Sequence, residues 1–125
     1  MRKITKIIIH YSASDYPKQT AAWIDKIHRK RGFSRIGYHF LIRRNGKVDI
    51  GRKLNVIGAH CKGYNLHSIG ICIAAHKVFT IASLRSLEDL VRSLKKQFPN
   101  AIVGGHNEFK KTLCPGMNIE RFKKL

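Results

Sequence analysis

The sequence predicts an α/β (α+β) fold, a central mixed β-sheet flanked by helices, and three observations carry that expectation. Short stretches rich in β-branched residues recur at 3–12, 36–50, 68–74 and 101–105. Two stretches of helical periodicity, 20–30 and 81–98, fall between them. At 125 residues and 43% hydrophobic, with neither internal repeats nor low-complexity tracts, the chain suits one domain, 1–125, with an ordinary buried core.

The first stretch, 3–12, reads as a buried strand because Ile7, Ile8 and Ile9 run together before the loop chemistry of Ser12-Ala13-Ser14-Asp15. His10 falls at its carboxyl end. Over 20–30, Trp23, Ile24 and Ile27 follow helical spacing; Gln19 or Thr20 can cap the start, Lys30-Arg31 suits the negative end of the helix dipole, and Gly32 can close it. This helix presents a basic outer face, and His28 is expected on its surface.

In 36–43, Ile36, Tyr38, Phe40 and Ile42 alternate with Gly37, His39, Leu41 and Arg43. Asn45-Gly46 is the favoured pair for a two-residue type I′ turn, returning Val48 and Ile50 as the second strand of a hairpin. Residues 51–65, with three glycines, read as loop with room for a short strand near Val56. A central strand is expected over 68–74, where Ile69, Ile71 and Ile73 alternate with Gly70 and Cys72. The longest helix belongs to 81–98: Leu84, Leu87, Leu90, Val91, Leu94 and Phe98 form one stripe, Thr80 caps it, and Glu88 stands four residues before Arg92. Pro99-Asn100 ends that helix, 101–105 forms a last short strand delivering His106, and 119–125 suits a terminal helical turn.

Twenty-five Lys and Arg against seven Asp and Glu give a formal charge of +18, which points to a polyanionic partner such as nucleic acid, acidic lipid or bacterial wall polymer. The basic residues are spread along the whole chain, and any one cluster alone is a solvated face. No apolar run is long enough for a membrane span, and no signal-peptide pattern follows Met1-Arg2-Lys3, so synthesis in the cytoplasm without a signal peptide is expected. Three cysteines without paired spacing argue against a disulfide framework, and Cys61 and Cys72 read as small, partly buried thiols.

The chemistry gathers in Gly105-His106-Asn107-Glu108-Phe109-Lys110-Lys111-Thr112-Leu113-Cys114-Pro115-Gly116, where a histidine and a cysteine stand eight residues apart. Imidazole and thiolate are ligands that zinc favours, but a hydrolytic zinc needs three protein ligands and one open position. His10 is the third candidate, since it and His106 both leave strand ends, where open sheets place ligands. Singly, each has a plainer reading: a strand-end histidine is more often a hydrogen-bonded structural group, and a cysteine before Pro-Gly is more often packing. His28, His39, His67 and His76 fall in that structural class.

Five blocks together resemble one family: Ile9-His10-Tyr11-Ser12-Ala13, Gly37-Tyr38-His39-Phe40-Leu41-Ile42, Gly58-Ala59-His60-Cys61-Lys62-Gly63-Tyr64-Asn65, Ser68-Ile69-Gly70-Ile71, and Gly105-His106 through Cys114-Pro115-Gly116. In order and coverage they are similar to the zinc N-acetylmuramoyl-L-alanine amidases of the type-2 class, which includes T7-type phage lysozymes and the peptidoglycan recognition proteins. The resemblance implies the type-2 amidase fold and one zinc ion held by His10, His106, Cys114 and water. It implies that Tyr38 is the catalytic tyrosine. Where the phage-lysozyme branch carries a lysine two residues before the cysteine, this chain has Thr112, as many amidase-active recognition proteins do, so the resemblance implies a catalytic hydroxyl there in place of a cationic oxyanion donor. His60 and Asn65 match positions that contact the muramyl peptide in the recognition-protein branch.

The implied reaction is hydrolysis of the amide joining N-acetylmuramic acid to L-alanine of the stem peptide, as in a bacteriolytic phage or prophage endolysin acting on the wall after membrane permeabilisation. Peptidoglycan is the expected partner, anionic envelope polymers are expected to meet the basic surface, and a monomer is expected. Three other readings compete. A cysteine peptidase would use Cys114 as nucleophile and His106 as base; a recognition module would bind peptidoglycan without cutting it; a nucleic-acid binder would account for the charge, although no such motif or aromatic interleaving is present.

Overall fold

The computed structural model describes residues 2–125. In chain order the elements are β1 (Lys6–Tyr11), α1 (Ala21–Lys30), β2 (Phe40–Ile42), β3 (Val48–Ile50), β4 (Ser68–Ile73), α2 (Ile81–Gln97), β5 (Ile102–Gly105) and α3 (Glu120–Lys123), with 3₁₀ turns at Asn65–His67 and His106–Glu108. The strands form one mixed sheet in the order β3-β2-β4-β1-β5, in which only the β2–β3 pair is antiparallel. β4 lies at the centre, as its apolar run requires of a strand covered on both faces.

Alternation along the strands divides the core between two faces. Ile7 and Ile9 of β1, Ile69, Ile71 and Ile73 of β4, and Val103 of β5 point to the face covered by α2 and α3, where Leu87, Val91, Leu94 and Phe122 are buried. The other face packs Leu41, Cys72 and Ala74 against Ile24 of α1 and Ile36. His10 registers with Cys72 and therefore lies on the α1 face, alternating with Ile9. This face is only partly covered by helix, which leaves room for a groove.

Capping follows the chemistry of the end residues. Thr20 and Thr80 each accept an N–H from the third residue on, Trp23 and Ser83, at 3.1 Å. Gln19 does not cap; it is buried and donates to the carbonyls of Ser14 and Tyr16. Arg92 pairs with Glu88 at 2.8 Å, as their four-residue spacing predicts.

Three expectations are corrected. The hairpin does not turn through a type I′ pair: Gly46 N–H donates to Arg43 C=O, Arg43 N–H donates to Lys47 C=O, and Gly46 alone has a positive φ of 89° in the turn. That is a three-residue type I turn closed by a glycine bulge, the other low-energy solution for a hairpin with Gly in this place. Near Val56 there is no strand, because Val56 N–H turns back onto Lys53 C=O instead of joining the sheet. β2 is shorter than the alternation suggests: Gly37 lies in a bend, and the carbonyls of Gly37 and Tyr38 accept from the N–H groups of Ala59 and Arg52 in the following loop.

Candidate active site

Parallel register brings the two histidines together. Ile9 of β1 sits opposite Gly105 of β5, so the residues that follow, His10 and His106, emerge side by side at the carboxyl ends of adjacent strands. Their ring centroids are 4.5 Å apart. The chain then turns through His106–Glu108 and loops back, and Asn107 N–H donates to Cys114 C=O at 2.8 Å, which carries the thiol to the same place. Gly116, with a φ of 71°, lets this loop close on Tyr11: a Cβ there would stand 2.4 Å from the tyrosine ring.

The ligand-type atoms of His10, His106 and Cys114 all lie within 4.8 Å of one another. His10 Nδ1 faces Cys114 Sγ at 3.7 Å. A tetrahedral zinc with bonds of about 2.3 Å to sulfur and about 2.05 Å to nitrogen separates such a pair by about 3.6 Å. The donor set therefore fits one metal ion of this kind. His10 is buried, whereas His106 and Cys114 are half-buried, so the cluster is open on one side.

Protonation suits the same purpose. Burial, then the neighbouring His60 and His106, hold His10 well below the usual imidazole value; burial and Lys110 lower His106. Both rings are neutral near pH 7, the form that binds metals. Burial pushes the Cys114 thiol up to about 11, opposed by the Tyr11 N–H that donates to its sulfur at 3.4 Å. A thiol so reluctant to ionise does not behave as a free nucleophile, which argues against the cysteine-peptidase reading. A metal ion would ionise it outright.

Tyr38 lies beside the cluster, its ring 5.1 Å from that of His10. Burial first, then the nearby Cys72 and Cys114, keep its phenol pKa well above the usual value, so it is a hydrogen-bond donor near neutral pH. Thr112 is exposed in the ligand loop, and its hydroxyl accepts the N–H of Cys114 at 3.2 Å, leaving its own proton free to donate.

A groove of about 550 Å³ adjoins the cluster, with Phe33, His60, Lys62, Asn65, His106 and Lys110 among its walls. Asn65 Oδ1 accepts from the N–H groups of both His60 and Cys61, at 3.0 and 2.9 Å, and so shapes the groove loop. His60 lines the groove, but both its ring nitrogens are engaged within the protein, Nδ1 with His10 and Nε2 with Ser68 Oγ.

His28 departs from expectation. It is buried, not on the helix surface: its Nδ1 accepts Gly37 N–H at 2.9 Å and its ring lies 5.4 Å from that of Tyr38. The signal was its spacing of four from Ile24, which puts both on the inner face of α1. His39 is structural as expected, Nδ1 accepting from Gly70 N–H and Nε2 meeting Val56 C=O, with burial lowering its pKa to about 4. Lys62 and Lys110 also stand on the groove walls, a placement that nothing in the sequence distinguishes from that of the other basic residues.

A cluster of two histidines and a cysteine at the strand ends of a mixed sheet, open beside a groove, defines a hydrolase whose ligand set can hold one metal ion. Residues 1–117 match the N-acetylmuramoyl-L-alanine amidase family, and the chain belongs to it. The endolysin of Klebsiella phage KP32 is 31% identical over 97% of this chain and 86% of its own length. The N-acetylmuramoyl-L-alanine amidase LysC from Clostridium intestinale superposes with a TM-score of 0.90 at 32% identity, over 98% of this chain and 85% of that one. A variant of Drosophila PGRP-LB in complex with tracheal cytotoxin superposes with a TM-score of 0.82 at 26% identity, over 92% of this chain and 76% of that one.

Proposed function

We propose that this amidase is a zinc-dependent endolysin of phage or prophage type, hydrolysing the amide between N-acetylmuramic acid and L-alanine of peptidoglycan. The convergence of His10, His106 and Cys114 beside an open groove carries this reading. These three residues would hold one zinc ion, which supplies Lewis acidity and a nucleophile ionisable near neutral pH. A strong protein base is then unnecessary, in keeping with a cluster made only of histidine and cysteine.

The chain's own groups do the rest. Tyr38 donates its phenol proton toward oxygen charge developing at the scissile carbonyl, and Thr112 offers a second donor from the rim. Burial keeps the phenol protonated. The groove beside His60 and Asn65 receives the muramyl peptide, and Lys62 and Lys110 give it positive walls for the carboxylates of a stem peptide. Synthesis in the cytoplasm and action on the wall after membrane permeabilisation complete the reading. Among the described residues, no helix is long and apolar enough to cross a membrane.

The test is digestion of purified peptidoglycan with and without a chelator, with the products identified by mass spectrometry. Intact glycan strands and free stem peptides with a new L-alanine amino terminus, formed only when zinc is present and lost in Cys114→Ser, are expected. Binding without zinc-dependent cleavage would leave a recognition module in its place.

A further inference from the structure

We propose that His60 is the positioning residue for the metal ligand His10, holding that ring with Nδ1 toward Cys114 and His106. This rests on the zinc reading of the cluster and adds to it a residue that holds no metal itself.

The geometry gives His10 one outward and one inward nitrogen. Nδ1 faces Cys114 Sγ at 3.7 Å, while Nε2 lies 2.9 Å from His60 Nδ1. With Nδ1 given to a metal, Nε2 carries the proton and donates it to His60 Nδ1. His60 then has its own proton on Nε2, which donates to Ser68 Oγ at 3.1 Å. Every nitrogen in the relay has one role, and only one tautomer of each ring satisfies it. A carbonyl or carboxylate is the usual orienting acceptor for a ligand histidine; here the acceptor is a second imidazole.

The surroundings hold His60 to that task. Its ring stands at 90° to that of His10, with centroids 5.0 Å apart. A Cβ at Gly70 would lie 2.5 Å from His60 Cγ, and one at Gly58 would lie 2.8 Å from His60 Cδ2, so two glycines form the slot. Asn65 Oδ1 pins the His60 backbone N–H at 3.0 Å, and Ser68 is itself fully buried. The side chain is thus fixed on three sides before any substrate arrives.

The experiment compares the full chain with His60→Phe, His60→Ala and His60→Asn, measuring zinc affinity by chelator competition, the absorption spectrum of the cobalt-substituted protein, and the melting temperature without metal. Removing an orienting acceptor typically weakens metal affinity tenfold to a hundredfold. His60→Phe and His60→Ala are expected to fall in about that range with a changed cobalt spectrum, while His60→Asn, which keeps an acceptor near the Nδ1 position, recovers most of the affinity. If His60→Phe does not fold, the Ala and Asn variants read the same acceptor. Affinity within about threefold of the parent in all variants, with an unchanged spectrum, would overturn the proposal. Failure of the parent protein itself to bind zinc through Cys114, seen as no cobalt–thiolate band lost in Cys114→Ser, would instead overturn the zinc reading beneath it.

Discussion

At the residue scale, we propose three side chains as metal ligands and Tyr38 as the principal donor to the substrate. Tyr38 keeps its proton because burial and two nearby sulfur groups oppose a phenolate. Tyr38→Phe should therefore lower kcat by about 10²–10³, the usual cost of one lost oxyanion donor, and leave zinc affinity unchanged. As a proposed thiolate ligand, Cys114 would set the pH dependence of metal binding. Its thiol, pushed up to about 11, is protonated across the neutral range, while burial keeps His10 and His106 deprotonated. Binding must then release the thiol proton, so affinity rises with pH. About a tenfold gain per unit between about pH 6.5 and 8 is expected, read by chelator competition at fixed ionic strength. A flat profile would show that the sulfur is not a ligand. His10, His106 and Cys114 were visible in the sequence by type and spacing and Tyr38 through the family resemblance, but their protonation states were not, because desolvation depends on neighbours distant in the chain.

At the scale of elements, the helices were the most legible parts. Amphipathic stripes and Thr caps are local signals, and both caps form where the spacing put them. Thr80 also donates its hydroxyl to Arg44 C=O at 2.5 Å, tying α2 to the hairpin. Thr80→Ala should cost about 1–2 kcal/mol in urea unfolding. Zinc affinity should not move, since α2 packs on the face opposite His10. The hairpin was less legible. Asn45-Gly46 serves both a type I′ turn and a type I turn with a glycine bulge, and the choice falls to packing: Gly46 C=O accepts from Ser86 of α2, and a Cβ on Gly46 would stand 2.9 Å from Ala82 C=O. The inward turn of His28 also depends on a distant partner, the N–H of Gly37.

For the whole molecule, the +18 charge is the dominant long-range property. We propose that this charge draws the protein to anionic envelope polymers, an attraction screened over about 8 Å at physiological ionic strength. Wall binding and lysis should therefore weaken as salt is raised from about 50 to 500 mM, measured by pelleting with purified walls and by turbidity loss. Equal binding at both salt levels would mean that the groove alone recognises the wall.

Composition, periodicity and spacing by themselves determined the mixed sheet with flanking helices, the position of His10 and His106 at strand ends, and the pairing of an imidazole with a thiol eight residues on. These are legible because they follow from local patterning and from which atoms a metal accepts. Only the tertiary structure decided the register that sets Ile9 against Gly105 and so makes neighbours of two histidines far apart in the chain. The contact between His60 and His10 is likewise found only there: what an imidazole can do depends on which of its nitrogens has a partner, and that partner, His10, lies fifty residues away in the chain.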